Sequence, residues 1–93
     1  MHDITNMENV DLRLKIERIV SAVFLVSNLV PESEAIRDKI KTLCINLVSL
    51  GVSNERSEGY FNTNIKDIEI VATELLSFLN IAFLAGFVSE MNA

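Results

Sequence analysis

The chain has 93 residues, room for one modest domain and not for two. Its apolar share is 49% with a mean hydropathy of +0.33, rich for so short a chain, so some apolar side chains must face a partner or water. With 13 acidic residues against 8 basic ones the net charge is -5, which argues against nucleic acid as a partner and favours solubility of an apolar-rich chain.

Residues 1–7 read as a flexible tail, and Met1-His2-Asp3-Ile4-Thr5-Asn6 lacks the basic stretch and apolar run of a signal peptide. One cysteine, Cys44, and no glycosylation sequon give no sign of an oxidising compartment, so a cytoplasmic location is expected. The apolar runs Ile19 to Val30 and Phe78 to Val88 are each too short for the ~20 residues of a membrane span and read as buried helix.

A first helix is expected over residues 8–30, entered through a capping box of Thr5 and Glu8 or through Asn9. Leu12, Ile16, Ile19, Val23, Val26 and Val30 form its stripe, widened by Val20, Ala22 and Leu29 enough to meet two neighbouring helices. Asp11 with Lys15, and Arg13 with Glu17, are pairs on its polar side. Pro31 ends it, and Glu32, Ser33 and Glu34 place acidic charge where a second helix begins.

That second helix, residues 33–50, carries Ile36, Ile40, Leu43, Leu47 and Leu50 with Cys44 and Val48 beside them, and Gly51 stands where a C-terminal glycine cap belongs. Residues 51–63 form the one long inter-helix loop, in which Ser53 to Glu58 can add a helical turn. Asn64 caps a third helix over 65–85, lined by Ile68, Ala72, Leu75, Leu79 and Ala82 with Val71, Leu76 and Phe83 beside them. Gly86 stops it, and Ser89-Glu90 reads as the start of a fourth helix cut short after about one turn. The expected fold is therefore all-α, a small bundle of three main helices in a single domain.

No catalytic, cofactor or metal set emerges. His2 lies in the tail without co-ligands, Cys44 has no histidine near it, and Ser21, Ser27, Ser49 and Ser77 lack a base, so no enzyme activity is expected. Asp67 and Glu74 border a polar face and not an apolar pocket, and Gly51, Gly59 and Gly86 form no phosphate cradle for Lys66. The basic residues Arg13, Lys15, Arg18, Arg37, Lys39 and Lys41 are interleaved with acidic ones. Acyl carrier proteins are also small, acidic and helical, but their Asp-Ser-Leu attachment motif is absent.

What remains is apolar surface. On the third helix Ile70, Ser77, Ile81 and Leu84 turn away from the stripe of Leu75, and on the first Phe24, Leu25 and Leu14 fall on or beside the polar arc. Phe24, Leu25, Ile70, Ser77, Ile81 and Leu84 are the candidate interface, and Tyr60 and Phe61 are candidate anchors in the loop. The expected function is a non-enzymatic helical interaction or assembly module that forms a homo-oligomer or docks on another protein. Alternatives are a bundle binding an apolar small molecule between the first and third helices, and a small nucleic-acid-associated regulator.

Overall fold

The computed structural model describes residues 2–56 and 63–88, with side chains from 7–56 and 65–88. It contains three helices, α1 (His2–Ser27), α2 (Ala35–Arg56) and α3 (Thr63–Leu84), and no strand among the described residues. The all-α bundle expected from periodicity is the observed fold. α1 packs on α2 and α2 packs on α3, while the α1 and α3 backbones stay further apart.

The helix bounds depart from the sequence reading for identifiable reasons. α1 starts at His2, so Thr5 and Glu8 lie inside the helix and not at its cap, and the region read as a tail is helical from His2 onward. It ends at Ser27 through three tightened turns, with the Asn28, Leu29 and Val30 amides donating to the carbonyls of Leu25, Val26 and Ser27, ahead of Pro31.

Gly51 does not end α2, which continues to Arg56, so the expected loop over 51–63 is in large part helix. Its role is close approach. A Cβ on Gly51 would sit 3.0 Å from Ile16 Cδ1 and 3.7 Å from the Arg13 Cα, so the missing side chain lets the α1 backbone lie against α2.

Gly86 does end α3. Its φ is +83°, the Phe87 amide donates to the Ala82 carbonyl, and the Gly86 amide donates to the Phe83 carbonyl, which together make a Schellman cap. Phe87 folds back onto the core beside buried Ala82, the apolar contact that accompanies this cap. The expected helix start at Ser89 lies outside the described residues.

The core is one cluster: Ile16, Val20 and Val30, then Ile40, Leu43, Cys44 and Leu47 of α2, then Ile68, Leu75 and Ala82 of α3. α2 is the shared element, and its buried face is the one its spacing predicts. On α1 the buried line is Ile16, Val20 and Ser27, rotated away from the expected stripe, so that Ile19 and Val26 are exposed. On α3, Leu76 and Phe83, expected beside the core, are exposed as well.

Candidate functional site

The ion pairs and cation contacts lie on the outer flanks of the two seams. At the open end of α1 and α2, Arg13 Nη1 donates to Glu17 Oε2 at 2.7 Å and Arg13 Nε donates to Glu55 Oε2. These two hydrogen bonds hold the Arg13 guanidinium further above its ordinary pKa. One turn away Asn54, almost wholly buried, donates from Nδ2 to Asn9 Oδ1 at 3.2 Å. The Arg13–Glu17 pair is the one its i,i+4 spacing predicts, whereas Asn54 and Glu55 fall where a loop was expected.

At the other end, Arg37 Nη2 and Lys41 Nζ both donate to Asn28 Oδ1, at 3.2 and 3.0 Å. Lys41 also lies over the Phe24 ring at 5.4 Å. On the second seam, Lys39 pairs with Glu74 at 3.4 Å and lies 6.0 Å from the centre of the Phe78 ring. Four of the six basic residues singled out above are thus engaged within the fold, and Glu74 is tied to Lys39, not poised beside Asp67.

The reactive side chains have ordinary structural settings. Cys44 is buried, and burial pushes its thiol pKa up, away from a nucleophilic thiolate. Ser21, Ser27 and Ser77 donate their hydroxyl hydrogens to the carbonyls of Glu17, Phe24 and Thr73 on their own helices. Among the described residues no three His, Cys, Asp or Glu side chains gather into a group that could hold a metal ion. No helix there is long and apolar enough to cross a membrane.

Two surface clefts lie on the seams. One, about 600 Å³, is lined by Val10, Arg13, Val52, Glu55 and Arg56. The other, about 360 Å³, is lined by Asn46, Ser49, Leu50, Asp67, Ile70 and Val71. Both carry charged walls and neither lies between α1 and α3.

The candidate interface residues divide. Leu25, Ile70, Ser77, Ile81 and Leu84 are exposed, with Leu25 and Leu84 among the most exposed apolar side chains at 72% and 75%. Phe24 is half-buried against the core beneath Lys41. Tyr60 and Phe61 lie outside the described residues.

A second exposed apolar set had not been singled out. Ile19 is 56% exposed, Leu76 66% and Phe83 55%, with Val26 less so. The contacts fix where they stand. Arg13 and Asn28 mark the α1 flank that meets Glu55, Arg37 and Lys41, on one outer side of α2. Glu74 and Asp67 mark the α3 flank that meets Lys39, Asn46 and Ser49, on the other outer side.

At 100° per residue Ile19 and Val26 lie on the opposite flank of α1, and Leu76 and Phe83 on the opposite flank of α3. Both flanks therefore turn toward the same side, above the α2 face that carries Ile40 and Leu47. That face is itself buried, with Ile40 at 0% and Leu47 at 4% exposure, so the two flanks border one apolar side of the bundle.

Comparison with known proteins finds no match: no protein-family model, no curated protein and no solved structure corresponds to this chain.

Proposed function

We propose that the chain is a non-enzymatic assembly module that self-associates through apolar helical surface. One observation carries the reading: α1 leaves Ile19, Leu25 and Val26 in water, and α3 leaves Ile70, Leu76, Ile81, Phe83 and Leu84 there. Fully burying a Leu, Ile or Phe side chain is worth ~1.5–3 kcal/mol, so covering several half-exposed ones is worth a sum comparable with the total stability of a small domain. Single exposed apolar residues are ordinary, whereas contiguous helix flanks are the mark of an interaction surface.

The alternatives draw less support. A ligand pocket between α1 and α3 would need enclosing walls, and the clefts described above sit on the two seams instead. A nucleic-acid surface would need free cations, and Arg13, Arg37, Lys39 and Lys41 are committed to contacts within the fold. Light scattering over a concentration series tests the proposal. A particle heavier than the 10.4 kDa chain is expected, and a mass of one chain at every concentration overturns it.

A further inference from the structure

We infer that α1 is a rotary element with two seats on α2. One is the seat observed, and the other is reached by turning α1 about its own axis by roughly 50°, which withdraws Ile19 and Val26 from water. The inference concerns a single chain and does not rest on self-association.

The first argument is that α1 carries two overlapping lines at the same helical spacing. The line seated on α2 runs through Asn9, Arg13, Ile16, Val20, Val23 and Ser27. The second line runs through Leu12, Ile16, Ile19, Val23 and Val26. Ile16 and Val23 belong to both, so a turn of about half the 100° step between successive residues exchanges one line for the other.

The second argument is which line is seated. Asn9, Arg13 and Ser27 stand on it, whereas the second line is apolar throughout. Ser27 is wholly buried while Ile19 is 56% exposed, the reverse of what apolar burial alone favours. Polar contacts across the seam hold α1 in the observed seat. Asn54 donates to Asn9 Oδ1, Arg13 donates to Glu55 Oε2, and Arg37 and Lys41 both donate to Asn28 Oδ1. Asn9, Arg13 and Asn28 share the side of α1 opposite to Ile19 and Val26, so all of these contacts oppose the same turn. Selecting one alignment over a more apolar one is the best-attested role of polar groups in a helical seam.

The third argument is space. At the closest approach of the two helices α2 presents Gly51, where a Cβ would lie 3.0 Å from Ile16 Cδ1 and 3.7 Å from the Arg13 Cα. With no side chain at that point, nothing on α2 interlocks with α1 to block the turn, and Ile16 keeps its place in either seat. In the observed seat the apolar flank of α1 is on display to a partner. In the second it is covered by α2, and Asn9 and Arg13 face water instead.

The isoleucines of the chain report on the turn. With isoleucine methyls labelled, an inert gadolinium chelate in solution and the lowest workable protein concentration, nuclear relaxation of the Ile19 methyl is expected to be as fast as that of exposed Ile45, Ile70 and Ile81, with buried Ile16, Ile40 and Ile68 spared. Asn54→Leu combined with Glu55→Gln removes two of the contacts. Ile19 is then expected to join the spared group while Ile45, Ile70 and Ile81 stay fast and helical circular dichroism is retained. Ile19 remaining as fast as Ile45 overturns the inference. Arg13→Gln, which leaves every buried residue in place, is expected to give part of the same change. If the α2 variant loses its helices, Arg13→Gln decides, and an unchanged Ile19 there overturns the inference.

Adding Val26→Asn to either variant restores a polar residue to the second line and is expected to return Ile19 to the fast group. Protection of Ile19 that survives Val26→Asn, or that grows with protein concentration, comes from a covering chain and not from a turn of α1, and overturns the inference while leaving self-association standing.

Discussion

The contact between Gly51 and Ile16 can be taken apart atom by atom. Gly51 is in mid-helix, where glycine costs ~0.5–1 kcal/mol relative to alanine, so Gly51→Ala gains that much in helix propensity. Against it stands one atom: the new Cβ would lie 3.0 Å from Ile16 Cδ1, tighter than ordinary contact, while the Arg13 Cα at 3.7 Å is a normal neighbour. Because Ile16 is buried, its methyl cannot swing into water, and overpacking of this kind costs ~1–3 kcal/mol. The single variant is therefore expected to lose about 0–2.5 kcal/mol.

Ile16→Val removes Cδ1 and by itself costs ~0.5–1.5 kcal/mol. In the double variant the alanine methyl occupies the space that Cδ1 vacates. The pair should then be more stable than the sum of the singles by about 1 kcal/mol. Urea unfolding followed by far-ultraviolet circular dichroism, at one fixed protein concentration so that association contributes equally, measures the cycle. Additivity to within ~0.3 kcal/mol would refute the contact as the reason for a glycine at this position.

Gly86→Ala is expected to destabilise the domain by ~1–2 kcal/mol, because φ is +83° there while nothing lies within 4 Å of the new methyl; Gly86→Asn should cost less, and thermal unfolding separates the two. Asn9→Ala takes one acceptor from the buried Asn54 amide and should cost ~1–2 kcal/mol in the same denaturant assay. Cys44 should label with a thiol reagent only as fast as the protein opens. Since burial raises its folded pKa above the unfolded value near 9.0, its contribution to stability is complete below that pH and is lost as pH rises from there toward the folded value. Unfolding free energy measured from pH 7 to pH 10 in the parent and in Cys44→Ala should therefore diverge only at the alkaline end.

Much of the fold was legible in the spacing of apolar residues. Ile40, Leu43 and Leu47 identify the buried face of α2, and Pro31 and Gly86 mark two helix ends through backbone chemistry that depends on their neighbours in sequence alone. Gly51 was misread for the same reason. As a residue type it signals a cap, whereas its use as a gap for the α1 backbone depends on a helix some 35 residues earlier in the chain. Asn54 was invisible because its partner, Asn9, is equally remote. The candidate interface was half legible: Leu25, Ile70, Ile81 and Leu84 are exposed, but Phe24 packs against the core beneath Lys41.

The residues most informative about function are those where a correct sequence pattern and the structure disagree. Ile19 and Val26 obey the helical period of a buried stripe, and Leu76 and Phe83 stand beside one, yet all four are exposed. Conflicts of this kind between local pattern and tertiary placement are uncommon in natural sequences, where the levels agree except at sites under another demand. Here Ile19 and Val26 fall on one flank of α1, and Leu76 and Phe83 on the flank of α3 that turns toward the same side, while Leu25, Ile70, Ile81 and Leu84 are exposed elsewhere on the same two helices.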